Sequence, residues 1–257
     1  MKRSLMVAAA LACIAALAPA AASAQTVELG QSTSAPLVAP SCPSSVTPTN
    51  CTIVLTRSTA LQTIRDSVDY PTIAKANGEI VAFTVGLSRL STSLTTAHAE
   101  VSNLDHAYGG TTQVAVAILK PVPPHKKFQW QLVAVGPVTH VQPYLGTVTQ
   151  FPLSTPLPIL KGEAVALSVP TWAPILSIGL TTADYAYRQD RSASCGVAAA
   201  TEQAMFTLSA TSAFGCDYTG VSPQYSATEI TTPVPPKVQV KTSRHRATAA
   251  RVVELGG

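Results

Sequence analysis

Leu160-Lys-Gly-Glu-Ala-Val-Ala-Leu-Ser-Val-Pro-Thr-Trp-Ala-Pro174 sets the pattern for the chain. Lys161-Gly162-Glu163 reads as a turn. Val165, Leu167 and Val169 then alternate with Ala164, Ala166 and Ser168, a period of two that predicts a half-buried β-strand. Pro170 is expected to stop it, because proline cannot donate to a central ladder. Working outward, the same order of strand, turn, strand and proline recurs.

On the N-terminal side, Thr52–Thr56 is the first predicted strand, and Thr59–Arg65 fits either a helical turn or a second strand. Val81, Phe83 and Val85 share one face after Asn77-Gly78. Thr112–Leu119 is apolar on both faces, as a central strand between two layers would be. Phe128, Trp130 and Leu132 line one face of the next strand. Ser91–Leu104 is rich in Ser and Thr and is expected to be a loop. On the C-terminal side, Asp184–Gln203 reads as a long loop, and short strands are expected at 204–209, 213–218 and 225–231. Some eight to ten strands with many proline stops predict an all-β, two-sheet sandwich. A jelly roll fits that count, with an immunoglobulin-like sandwich as the competing arrangement.

The ends differ from this body. Lys2 and Arg3, an apolar run from Leu5 to Ala18, and Ala22-Ser23-Ala24 make residues 1–24 a secretory signal peptide cut before Gln25. Residues 25–50 are expected to form a loose arm and 51–231 the sandwich. Residues 232–236 read as a Pro-rich spacer and 237–257 as a basic, disordered tail. Ala164–Ala183 lacks charge over twenty residues, but its prolines and period-two pattern argue against a membrane span, so no integral membrane segment is expected after cleavage.

Without the leader, four cysteines remain. An even count in an exported chain implies two disulfides, and the local pairing Cys42–Cys51 and Cys195–Cys216 is the favoured one of three. The net charge is +4. Five of the basic residues lie beyond residue 236 and two in the leader, so the body carries ten bases against twelve acids. That balance gives nucleic-acid binding no support. The tail's charge suits an anionic surface or cell-envelope polysaccharide.

Cys51-Thr-Ile-Val-Leu-Thr56, Val85-Gly-Leu-Ser-Arg-Leu90, Val141-Gln-Pro-Tyr-Leu-Gly146, Gly162–Pro174 and Tyr225-Ser-Ala-Thr-Glu-Ile230 together resemble a group of exported bacterial proteins with a signal peptide, a β-rich body and often a basic tail. The resemblance implies secretion and a shared fold, and it carries no activity.

Chemistry is sparse. His98, His106, His125 and His140 follow no metal-ligand spacing, so neither metal nor cofactor is expected. No Gly-x-Ser-x-Gly elbow exists, and the twelve acids are scattered. The aromatic residues Trp172, Tyr144, Tyr185 and Tyr187 are the candidate binding residues, because flat amphipathic rings stack on sugars. The expected function is therefore a secreted, non-catalytic binding or structural module of the cell surface, with glycans as the candidate ligand of the binding reading. The alternative is a secreted hydrolase or metal-dependent enzyme whose site joins residues remote in sequence.

Overall fold

A computed structural model describes residues 23–44, 51–122, 128–191, 195 and 202–233. The leader up to residue 22, the spacer from residue 234 and the basic tail lie outside the described residues, as does His125. Along the described chain run β1 (Thr26–Leu29), β2 (Leu55–Arg65), β3 (Val68–Asp69), β4 (Gly78–Gly86), α1 (Leu94–Tyr108), β5 (Gln113–Pro121), β6 (Gln129–Val135) and β7 (Thr139–His140). There follow β8 (Val148–Ile159), β9 (Ala164–Ala173), β10 (Leu176–Ser177), β11 (Tyr185–Gln189), β12 (Thr211–Ala213), β13 (Cys216–Thr219), β14 (Ser222–Pro223) and β15 (Tyr225–Thr231).

Every named strand pairing is antiparallel. The smaller sheet has the order β1-β15-β4-β8. The larger has the order β12-β6-β5-β9-β2-β11-β13, with β3 on β2 and β7 on β5, while β10 and β14 pair separately. This is the all-β, layered arrangement that the alternation predicts, with more strands than a jelly-roll count and unequal layers.

β9 lies between β5 and β2. Its turn forms as expected: Gly162 takes a φ of 90°, a left-handed value that favours glycine, and the Glu163 carboxylate accepts from Leu160 N at 2.8 Å. Val165, Leu167 and Val169 join Phe83, Val85, Leu153, Tyr225 and Ala227 of the smaller sheet in the principal core. Contrary to the half-buried expectation, the opposite face is covered too. Ala164 and Ala166 pack with Trp130, Leu132, Met205 and Phe214 in a second core. Those alanines are small because bulky groups press on them from outside.

Pro170 does not stop the strand. Trp172 pairs with Thr56 and Val169 with Ser58, so Pro170 and Thr171 face the single Arg57 across a β-bulge. A bulge is where a missing N–H is tolerated.

Four other expectations are corrected. Ser91–Leu104 is not a loop, because α1 starts within it. Ser93 Oγ caps the helix by accepting from Thr96 N, and Gly109 closes it at a φ of 81°. The expected long loop contains β11, and 204–209 is not a strand. The N-terminal arm is not loose where it is described. Val27 and Leu29 alternate with Thr26 and Glu28, so β1 pairs with β15, and Ala35 and Leu37 are buried. The arm then crosses Gly86 so closely that a Cβ there would clash with Val38 O.

Tyr225 joins the layers. From β15 it reaches the larger sheet, where its hydroxyl accepts from Gln62 N and lies 3.2 Å from both Ala60 O and Val165 O. Burial raises the phenol pKa above its ordinary value, so it stays protonated. Tyr225→Phe leaves the buried Gln62 N–H without an acceptor and is expected to cost about 1–3 kcal/mol in urea unfolding. A loss below about 0.5 kcal/mol would contradict the bridge.

Candidate functional site

The candidate site starts from a register. β11 and β13 align Tyr187 with Tyr218 and Gln189 with Cys216. The two tyrosine rings therefore stack, with centroids 5.1 Å apart and planes 13° from parallel. The predicted Cys195–Cys216 disulfide is formed at this edge. Cys42–Cys51, also formed, fixes the start of the facing segment, Cys51–Thr56.

Between these pieces lies a cavity of about 400 Å³. Leu176, Ile178 and Val221 give it an apolar wall, Tyr108 at the end of α1 another, and Thr52, Thr56, Gln189 and Arg191 its polar lining. Gln189 is 5% exposed. Its Nε2 donates to the Tyr187 hydroxyl at 2.9 Å, while its Oε1 has no partner. Reversing the amide would leave its NH₂ unpaired instead, so either assignment keeps one unmet polar group beside the cavity. Burial pushes the Tyr187 phenol well above its usual pKa, with the Gln189 bond opposing. At neutral pH the phenol is a neutral hydrogen-bonding group, not a base. Arg191 is held by Glu202 at 3.0 Å and by Thr56 O at 3.1 Å.

The predicted aromatic residues do not meet on one face. Tyr187 borders the cavity but is 1% exposed and stacked under Tyr218, so the accessible ring of the pair is that of Tyr218. Tyr185, two residues along β11, is half-buried. Tyr144 is 40% exposed and packs edge-on against Phe151, 5.0 Å away. Trp172 is wholly buried, and its indole N–H lies 2.9 Å from Asp105 Oδ1 and 3.1 Å from Gly110 O. It pins the end of α1 and has no face to offer a sugar, which corrects its candidacy. Tyr218, Tyr108 and Gln189 were missed. Alternation in Cys216-Asp-Tyr-Thr219 marks Tyr218, period two along Tyr185–Gln189 puts Gln189 on the face of Tyr187, and the helical spacing that ends at Tyr108 marks that ring.

The two acids with raised pKa values lie outside the cavity lining. Asp190, one residue past β11, is pushed up to about 6 by burial, which outweighs the hydrogen bonds from Thr59. Burial also raises Glu229. Among the described residues no group of three or more His, Cys, Asp or Glu is placed to hold a metal ion. No protein-family model, curated protein or solved structure matches the chain.

Proposed function

We propose that this protein is an exported, non-catalytic binding module that takes one saccharide unit, or a molecule of like size and amphipathic character, in the Tyr187–Tyr218 cavity. The carrying observation is the cavity itself. Its volume falls in the range of small-ligand sites, and it combines apolar walls with a few polar groups that would orient a ligand. A sugar ring has this mixed character, with an apolar C–H face and a hydroxyl rim. The described lining residues include no carboxylate and no histidine, which favours binding over hydrolysis.

Export is supported by the leader-like N-terminus and by the two disulfides, which persist in oxidising compartments. No helix among the described residues is long and apolar enough to cross a membrane.

The test is calorimetric titration with mono- and oligosaccharides from bacterial envelopes. Tyr218→Ala, which opens the half-buried side of the stack, is expected to weaken binding about tenfold or more, equivalent to about 1.4 kcal/mol. Tyr144→Ala is expected to leave it unchanged. Absence of binding across the panel, or equal affinity in Tyr218→Ala, would refute the reading.

A further inference from the structure

A second, smaller cavity lies where the N-terminal arm meets the larger sheet. It measures about 200 Å³, and Gln31, Ser32, Arg65, Val68, Tyr70, Pro71 and Lys75 line it. Arg65, at the end of β2, is only 4% exposed. Its guanidinium donates to neutral oxygens alone: Ser222 Oγ at 2.8 Å, the carbonyls of Ala35 and Pro36 at 3.1 Å, and Gln224 Oε1 at 3.4 Å. Its Nε has no partner. The described ion pairs belong to Arg188 and Arg191, so Arg65 has no carboxylate in contact. The adjacent Asp66 carboxylate is engaged by the Ser32 and Ser34 hydroxyls instead.

Buried charges are ordinarily paired. Here a permanent cation forms part of a cavity wall, a second cation, Lys75, stands on the exposed side of the same wall, and none of the described lining residues is an acid. The volume is below that of sites for drug-sized ligands but suits a group of a few heavy atoms. We propose that this cavity binds a small oxyanion, a carboxylate, phosphate or sulfate group, between Arg65 and Lys75. The site is independent of the tyrosine cavity. Its occupant would add a contacting counter-charge to the longer-range attraction of Asp66 and would tie the arm to β2.

The experiment is thermal melting of the purified protein in sodium sulfate, phosphate or acetate, against chloride at matched ionic strength. At least one oxyanion is expected to raise the melting temperature saturably, by about 5–10 °C at a hundredfold its dissociation constant. Arg65 variants risk unfolding, so the decisive variants are at exposed Lys75. Lys75→Ala is expected to weaken the response about fivefold and Lys75→Glu to abolish it, each melting within about 2 °C of the parent in chloride. No saturable rise with any oxyanion would overturn the proposal. So would an equal rise in Lys75→Glu, which is the signature of general salt exclusion.

Discussion

Trp172→Ala is expected to destabilise the fold by about 3–5 kcal/mol, the range for deleting a wholly buried tryptophan. The loss has two parts, and Trp172→Phe separates them. Phenylalanine keeps much of the packing but removes the N–H shared by Asp105 and Gly110. That variant is expected to lose about 1–3 kcal/mol. Asp105 also accepts from Gln142 at 3.3 Å, so the indole, the helix end and the turn at Gln142–Tyr144 form one assembly. Arg57 adds to it by donating to Ala107 O and lying over the Tyr108 ring. Urea unfolding of both variants is the measurement. A loss under about 1 kcal/mol for alanine would mean that the ring is not packed as described.

The second large effect is a pH dependence set by Asp190. Its carboxylate accepts from Thr59 N at 2.8 Å at the part-buried edge of a polar cluster. There Thr59 Oγ1 meets Ser168 Oγ and accepts from Met205 N. Arg191 lies next in sequence and favours the ionised form, but burial dominates and holds the folded pKa at about 6. The unfolded value is about 3.9. Between about pH 4 and 6 the folded state therefore binds more protons than the unfolded one, so this group's stabilisation is full below pH 4 and fades as pH rises through 6. A shift of two pKa units corresponds to about 3 kcal/mol. Asp190→Asn mimics the protonated form, and its Oδ1 can still accept from Thr59. Relative to the parent it is expected to gain about 2–3 kcal/mol between pH 4 and pH 7.5, read from paired denaturation curves. A parent–variant difference that stays constant with pH would contradict the assignment.

Much of the fold was legible. Alternation at Val165, Leu167 and Val169 placed the right side chains in the principal core. The spacing of four cysteines indicated the right pairing, because each partner lies at the near end of a short loop. The helix was legible too, and was overlooked. Leu94, Ala97, Val101, Leu104 and Tyr108 recur at three- and four-residue intervals between a Ser cap and a Gly stop. The surrounding serines and threonines favour a loop on composition, and the periodicity outweighs them.

Other features were hidden for physical reasons. Small residues on one face of a strand resemble a solvent face, whereas Ala164 and Ala166 are small because Trp130 and Phe214 crowd them. A proline in a strand pattern reads as an end unless a bulge excuses it, as at Pro170. The tyrosine cavity depends on Tyr187 meeting Tyr218 across two strands, and no local pattern gives that register. The same holds for Arg65, whose partners come from the arm and from residues 222–224.

The central claim is that β9 is an interior strand, hydrogen-bonded on both edges and covered on both faces. Amide hydrogen exchange resolved along the chain tests it most directly. The amides of Val165–Val169 are expected to exchange only by global unfolding, while those in the first half of α1, where Ala97 alone is buried, exchange through local opening. Exchange in β9 as fast as in α1 would contradict the layered arrangement on which the two cavities rest.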